Sequence, residues 1–134
     1  MKVTKFEHSC LDITEGNSRL VVDPGIFSKS LTDFNNIVAV VVTHVHSDHF
    51  DPDKLGQIVA ANPQVQIFTT DQVAQEFNQN TTVPERNRPY PVGDITLRFL
   101  GEQHELFGDT QNIGVMVNDK FFIRVTRIPS QTSR

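Results

Sequence analysis

Ile37-Val38-Ala39-Val40-Val41-Val42-Thr43-His44-Val45-His46-Ser47-Asp48-His49 sets an apolar, mostly β-branched run directly before three histidines and an aspartate. A run of this kind predicts a strand buried on both faces, because a strand with one wet side would alternate. Histidines and acids are poor core residues unless something satisfies them, so a buried strand that ends in a cluster of them is hard to explain as packing. In an extended or turning segment His44 and His46 project to one side, and Asp48 and His49 follow where the chain bends. Two ligand sets can thus face one cavity. Neutral imidazole suits zinc and its first-row neighbours, while a carboxylate adds a harder ligand that manganese or iron also accepts. The bland alternative is a solvated loop whose histidines coincide by chance.

Downstream of this stretch, Asp51 is placed to cap a helix with Pro52 at its first position. Leu55, Ile58 and Val59 fall on one face of that helix, and Asn62-Pro63 ends it. Residues 65–69 read as the next strand, and Asp71 as the cap of a short helix whose Val73, Ala74 and Phe77 share a face. The βαβα order predicts a layered α/β fold. Upstream, residues 2–13 and 19–23 read as the strands of an opening hairpin around Glu15-Gly16-Asn17-Ser18. Residues 78–93 shift to Asn, Thr, Pro and Arg, as expected of a surface connection or a flank of the active site. Ile95, Leu97 and Phe99 then alternate with Thr96 and Arg98 in a half-buried strand, and residues 115–117 and 120–123 flank Asn118-Asp119 as a second hairpin.

Three further residues are candidates for the same chemistry. His104 follows the alternating strand in Gly101-Glu102-Gln103-His104-Glu105, a position from which a third imidazole can close a three-histidine site; otherwise it is an exposed loop histidine. His8, within the first apolar segment, is expected to play a supporting or structural role rather than to ligate. Asp23 ends an apolar run at Asp23-Pro24-Gly25. It reads equally as a turn-initiating aspartate before proline and as the acceptor for a ligating imidazole N–H. Cys10, the one cysteine, reads as a small buried thiol.

Length and composition are those of one globular domain: 134 residues, 37% hydrophobic and 21% charged. A formal charge of -4 and a pI near 5.6 argue against a protein that binds the phosphate backbone of nucleic acids. Residues 1–7 contain no apolar signal region, and no run of apolar residues is long enough for a membrane span. The expectation is a soluble, cytoplasmic protein with a small-molecule substrate.

His44-Val45-His46-Ser47-Asp48-His49 resembles the H-x-H-x-D-H hallmark of the metallo-β-lactamase superfamily. His8-Ser9-Cys10 and Val22-Asp23-Pro24-Gly25 resemble its cytosolic branch, which includes ascorbate-6-phosphate lactonase-like proteins. The resemblance runs from residue 1 to about residue 122. It implies the N-terminal part of an αββα fold, a mixed sheet with flanking helices. It also implies that His44, His46 and His104 hold a first metal ion, with Asp48 and His49 contributing to a second. Zn2+ is the first choice, as one or two ions, with Mn2+ or Fe2+ as alternatives. The implied activity is hydrolysis of an ester, lactone or phosphoester through a metal-activated water, with Asp48 orienting that water or taking its proton. The family's bridging aspartate in a Gly-Asp-Ser motif and its late histidine have no counterparts in this sequence. Residues 123–134 therefore read as an aberrant or disordered tail on a partial domain of residues 1–122. A Tyr-Pro-Gly-Asp-Ser coding string read one base late can yield Ile-Arg-Val-Thr-Arg, the residues at 123–127, so a frameshift is one expected origin. Truncation is expected to impair activity, with a non-catalytic metal-binding or interaction remnant as the alternative, and to leave a sheet face that a second copy of the chain could cover.

Overall fold

The computed structural model describes residues 1–7, 9–100 and 112–123. Three antiparallel strands open the chain: β1 (Lys2–Lys5), β2 (Leu11–Glu15) and β3 (Ser18–Val22). The first apolar segment is thus two strands rather than one. Phe6 N donates to Cys10 O at 2.8 Å and closes a turn between them that contains neither glycine nor proline. β4 (Ile37–Val41) then pairs in parallel with β3, and β5 (Gln66–Phe68) in parallel with β4.

Helix α1 (Pro52–Ala61) lies between β4 and β5 in the chain. The Asp51 carboxylate accepts from Asp53 N and Lys54 N, which satisfies donors that the first turn would otherwise leave open. Asn62 ends the helix, and its amide donates to Phe34 O and Ile58 O. Helix α2 (Asp71–Glu76) is capped by Thr70, whose hydroxyl accepts from Val73 N at 3.3 Å. Asp71 is the first helical residue, not the cap, because both types favour that position and Thr70 comes first.

The stretch of residues 78–93 holds two strands, β6 (Thr81–Thr82) and β7 (Pro89–Val92), and is not only a connection. β6 completes a mixed six-stranded sheet of order β1-β2-β3-β4-β5-β6. β7 joins β8 (Ile95–Leu100), β9 (Gly114–Val117) and β10 (Phe121–Ile123) in an antiparallel sheet of order β10-β9-β8-β7. Asn118 and Asp119, both at positive φ (53° and 56°), form the tight turn of the β9–β10 hairpin.

Two cores explain why β4 is apolar throughout. Val40 and Val42 pack with Leu55, Ile58 and Val73 of the helices, while Ala39 and Val41 pack with Phe68, Leu97, Phe99 and Val115 between the sheets. Each face of β4 has its own apolar layer, so alternation has no place in the sequence. The layers run helices, mixed sheet, antiparallel sheet, and the histidine loop emerges at the C-terminal edge of β4 between them. Among the described residues no helix is long and apolar enough to cross a membrane.

Candidate metal centre

β3 and β4 run parallel, so their C-terminal ends deliver Asp23 and Thr43 to the same edge. Asp23 N donates to Val41 O at 2.8 Å, and the residue adopts φ 54°, a left-handed backbone that few non-glycine residues hold. That turn aims a buried carboxylate back at the histidine loop. Thr43 N reaches Asp23 Oδ1 at 2.7 Å, and Thr43 Oγ1 donates to Asp23 Oδ2 at 2.7 Å. His49 Nδ1 donates to the same Oδ2 at 2.6 Å.

These bonds assign the imidazole protons. The Thr43 hydroxyl proton is committed to Asp23, so Thr43 Oγ1 accepts from His44 Nδ1 at 3.0 Å, and His44 Nε2 is left with its lone pair. When neutral, His49 likewise keeps its proton on Nδ1, and its Nε2 lies 3.3 Å from Ser9 Oγ and 3.5 Å from Asp48 Oδ2. Ser9 is a neighbour of the site to which the sequence reading gave no role; it precedes His49 by 40 positions, and nothing local marks the contact.

His44 is 2% exposed, whereas His46 opens to solvent and Asp48 is half-buried. The His44 ring stands edge-on to His46 at 4.7 Å between centroids and tilted against His49 at 4.1 Å. Ligand atoms of His44, His46 and Asp48 all lie within 4.8 Å of one another, as do those of Asp23, His44 and His49. In the second group the Asp23 carboxylate is already occupied by Thr43 and His49, so it serves as a hydrogen-bonded support. Two imidazoles and a carboxylate, with one imidazole facing water, are a donor set that suits a first-row divalent ion.

The loop is fixed at both ends. His49 N and Phe50 N both donate to His46 O at 2.9 Å, and Phe50 is buried in the core beneath. Gly25 packs on the other side, where an added Cβ would stand 2.1 Å from Asp48 O. Burial, then the nearby His49 and His46, pushes the His44 pKa down to about 3, so it stays neutral and ready to ligate across the physiological range. Burial also works against charge on His49, but the hydrogen bond and charge of Asp23, with Asp48, outweigh it and raise its pKa above 6.5. His8 and His104 lie outside the described residues.

The model of the β-lactamase superfamily domain matches residues 2–125. Protein Rv0786c of Mycobacterium tuberculosis is 29% identical over 123 residues, which are 89% of this chain and 58% of that protein. Igni18, a metallo hydrolase from Ignicoccus hospitalis, matches with a TM-score of 0.65 at 19% identity, over 90% of this chain and 57% of its own. YhfI from Bacillus subtilis, a metallo-beta-lactamase fold protein, matches with a TM-score of 0.64 at 20% identity, over 87% of this chain and 52% of its own. The chain therefore spans little more than half the length of the relatives it matches. With a family match across nearly all of its length and this layered fold, the chain belongs to the β-lactamase superfamily domain family and has the metallo-β-lactamase fold.

Proposed function

We propose that the protein hydrolyses an ester, lactone or phosphoester of a small molecule with the help of a divalent metal ion, Zn2+ before Mn2+ or Fe2+, in the cytoplasm. The observation that carries this reading is the convergence of His44, His46 and Asp48 ligand atoms within 4.8 Å at the end of β4. His44 and His46 would hold the ion with Asp48, and His49 and His104 are assigned to the same centre. When bound, the ion supplies Lewis acidity and brings the pKa of a water towards neutrality.

The remaining work falls to the chain itself. Asp48, beside His49 Nε2 at 3.5 Å, is the group to orient the attacking water or accept its proton. Asp23 holds the His49 ring by its Nδ1–H at 2.6 Å and keeps Nε2 turned to the centre. Thr43 does the same for His44.

Metal binding without turnover is a second reading, because the His44, His46 and Asp48 donor group suffices to hold an ion whether or not a reaction follows. A second copy of the chain covering a sheet face goes with either. Elemental analysis of purified protein, paired with a panel of esters, lactones and phosphodiesters, separates them. Bound metal with turnover of one class supports the hydrolase; bound metal with no turnover supports the second reading.

A further inference from the structure

Surface segments carry many binding residues, ligand sites are lined largely by apolar side chains, and single exposed apolar side chains elsewhere need no explanation. The segment after Asp23 exposes a pair. Ile26 and Phe27 are adjacent, large and apolar, and are 43% and 49% exposed. They are held in place by bonds from three directions. Ile26 N donates to Ser47 O at 2.9 Å, and Asp51 N donates to Pro24 O at 3.1 Å. From α1, Lys54 Nζ donates to Ser28 O at 2.5 Å and to Gly25 O at 3.4 Å. Gly25 itself is pressed on the Asp48 backbone, where no side chain fits.

The anchoring point is informative. Ser47 stands between His46 and Asp48, so the backbone of Ile26 is tied one residue away from two members of the donor cluster. The Lys54 ammonium is engaged by two carbonyls of this segment, which commits that charge to holding it. An apolar pair presented on a pinned backbone loses little further freedom when a ligand covers it.

We propose that Ile26 and Phe27 form an apolar lip beside the metal centre and select substrates that carry an apolar acyl or aryl group next to the bond being cleaved. This rests on the hydrolase reading and narrows its substrate class. Covering the lip removes apolar area from water, and about a tenfold gain in affinity corresponds to about 1.4 kcal/mol, a modest fraction of two side chains' burial.

Hydroxamates test the lip without requiring turnover, because the head group chelates the metal while the chain length varies. Zinc-loaded protein is titrated with acetohydroxamate and octanohydroxamate by calorimetry, alongside an Ile26→Ser, Phe27→Ser double variant of equal metal content. The wild type is expected to bind the longer probe about tenfold more tightly, and the double variant to bring that ratio to about one. A wild-type ratio near one, or a ratio the double variant leaves unchanged, overturns the lip. Para-nitrophenyl acetate and octanoate, assayed with the same proteins, report separately on hydrolysis: absence of turnover of both, with the hydroxamate ratio intact, counts against the hydrolase reading and not against the lip.

Discussion

His49 Nδ1 sits 2.6 Å from Asp23 Oδ2, and this one contact joins the end of β3 to the end of the histidine loop, 26 residues further along. The same carboxylate takes two bonds from Thr43, next to His44. Asp23 is thus the hub through which the strand edge sets the orientation of two imidazoles.

Replacing Asp23 by Asn keeps the shape but removes the charge and one acceptor. The buried Thr43 and His49 donors are then incompletely satisfied, and the folded protein is expected to lose about 2–3 kcal/mol. Metal affinity should fall by roughly 10- to 100-fold, the usual cost of losing the partner of a ligating imidazole. Urea unfolding of the metal-free protein and a chelator competition assay measure the two effects. Equal metal affinity in both proteins would remove Asp23 from the site.

Gly25→Ala and Gly56→Ala should move in opposite directions. At Gly25 an added Cβ meets the backbone oxygen of Asp48 at 2.1 Å, an atom that no side-chain rotation can move away, so the loop must shift; a loss of about 1–3 kcal/mol and weaker metal binding are expected. At Gly56, inside α1, nothing lies within 4 Å of the added carbon. Alanine there is expected to stabilise by up to about 1 kcal/mol through helix propensity. Melting temperatures of the two variants check both signs.

The metal-free protein should be most stable near the ordinary histidine pKa. His44 is depressed to about 3, so the unfolded chain binds a proton that the folded chain refuses, and stability falls as pH drops below 6.5 towards 3. His49 is raised, so its contribution is fully present below 6.5 and is lost as pH rises through its folded pKa. Unfolding free energies at about pH 5, 6.5 and 8 are expected to peak at the middle value. A monotonic rise across the three would show that His49 is not held charged by Asp23.

Much of the fold, and the grouping of His44, His46 and Asp48 as candidate ligands, was legible in the sequence for reasons that can be named. β4 has a helix layer on one face and a sheet on the other, so its run of apolar residues carried no ambiguity of period. The histidine loop is local, and its ligand types and spacing survive any error in tertiary placement. Asp51 acts where a capping residue stands before proline. Other features lack a local mark. β7 carries Pro89 and Pro91 and reads as loop, yet as the edge strand of its sheet it tolerates residues without N–H donors. The split between β1 and β2 depends on the Phe6–Cys10 backbone bond, which needs no turn residue. Ser9 reaches His49 only through tertiary packing. His8 and His104, read as a supporting residue and a third ligand, lie outside the described residues.

The central claim is that His44, His46 and Asp48 hold a divalent ion, and elemental analysis of purified protein tests it most directly. The wild type is expected to carry at least about one zinc, manganese or iron ion per chain, and His44→Ala and His46→Ala to carry almost none while remaining folded by circular dichroism. Metal content that is negligible in the wild type after zinc loading, or unchanged in both variants, would contradict the account.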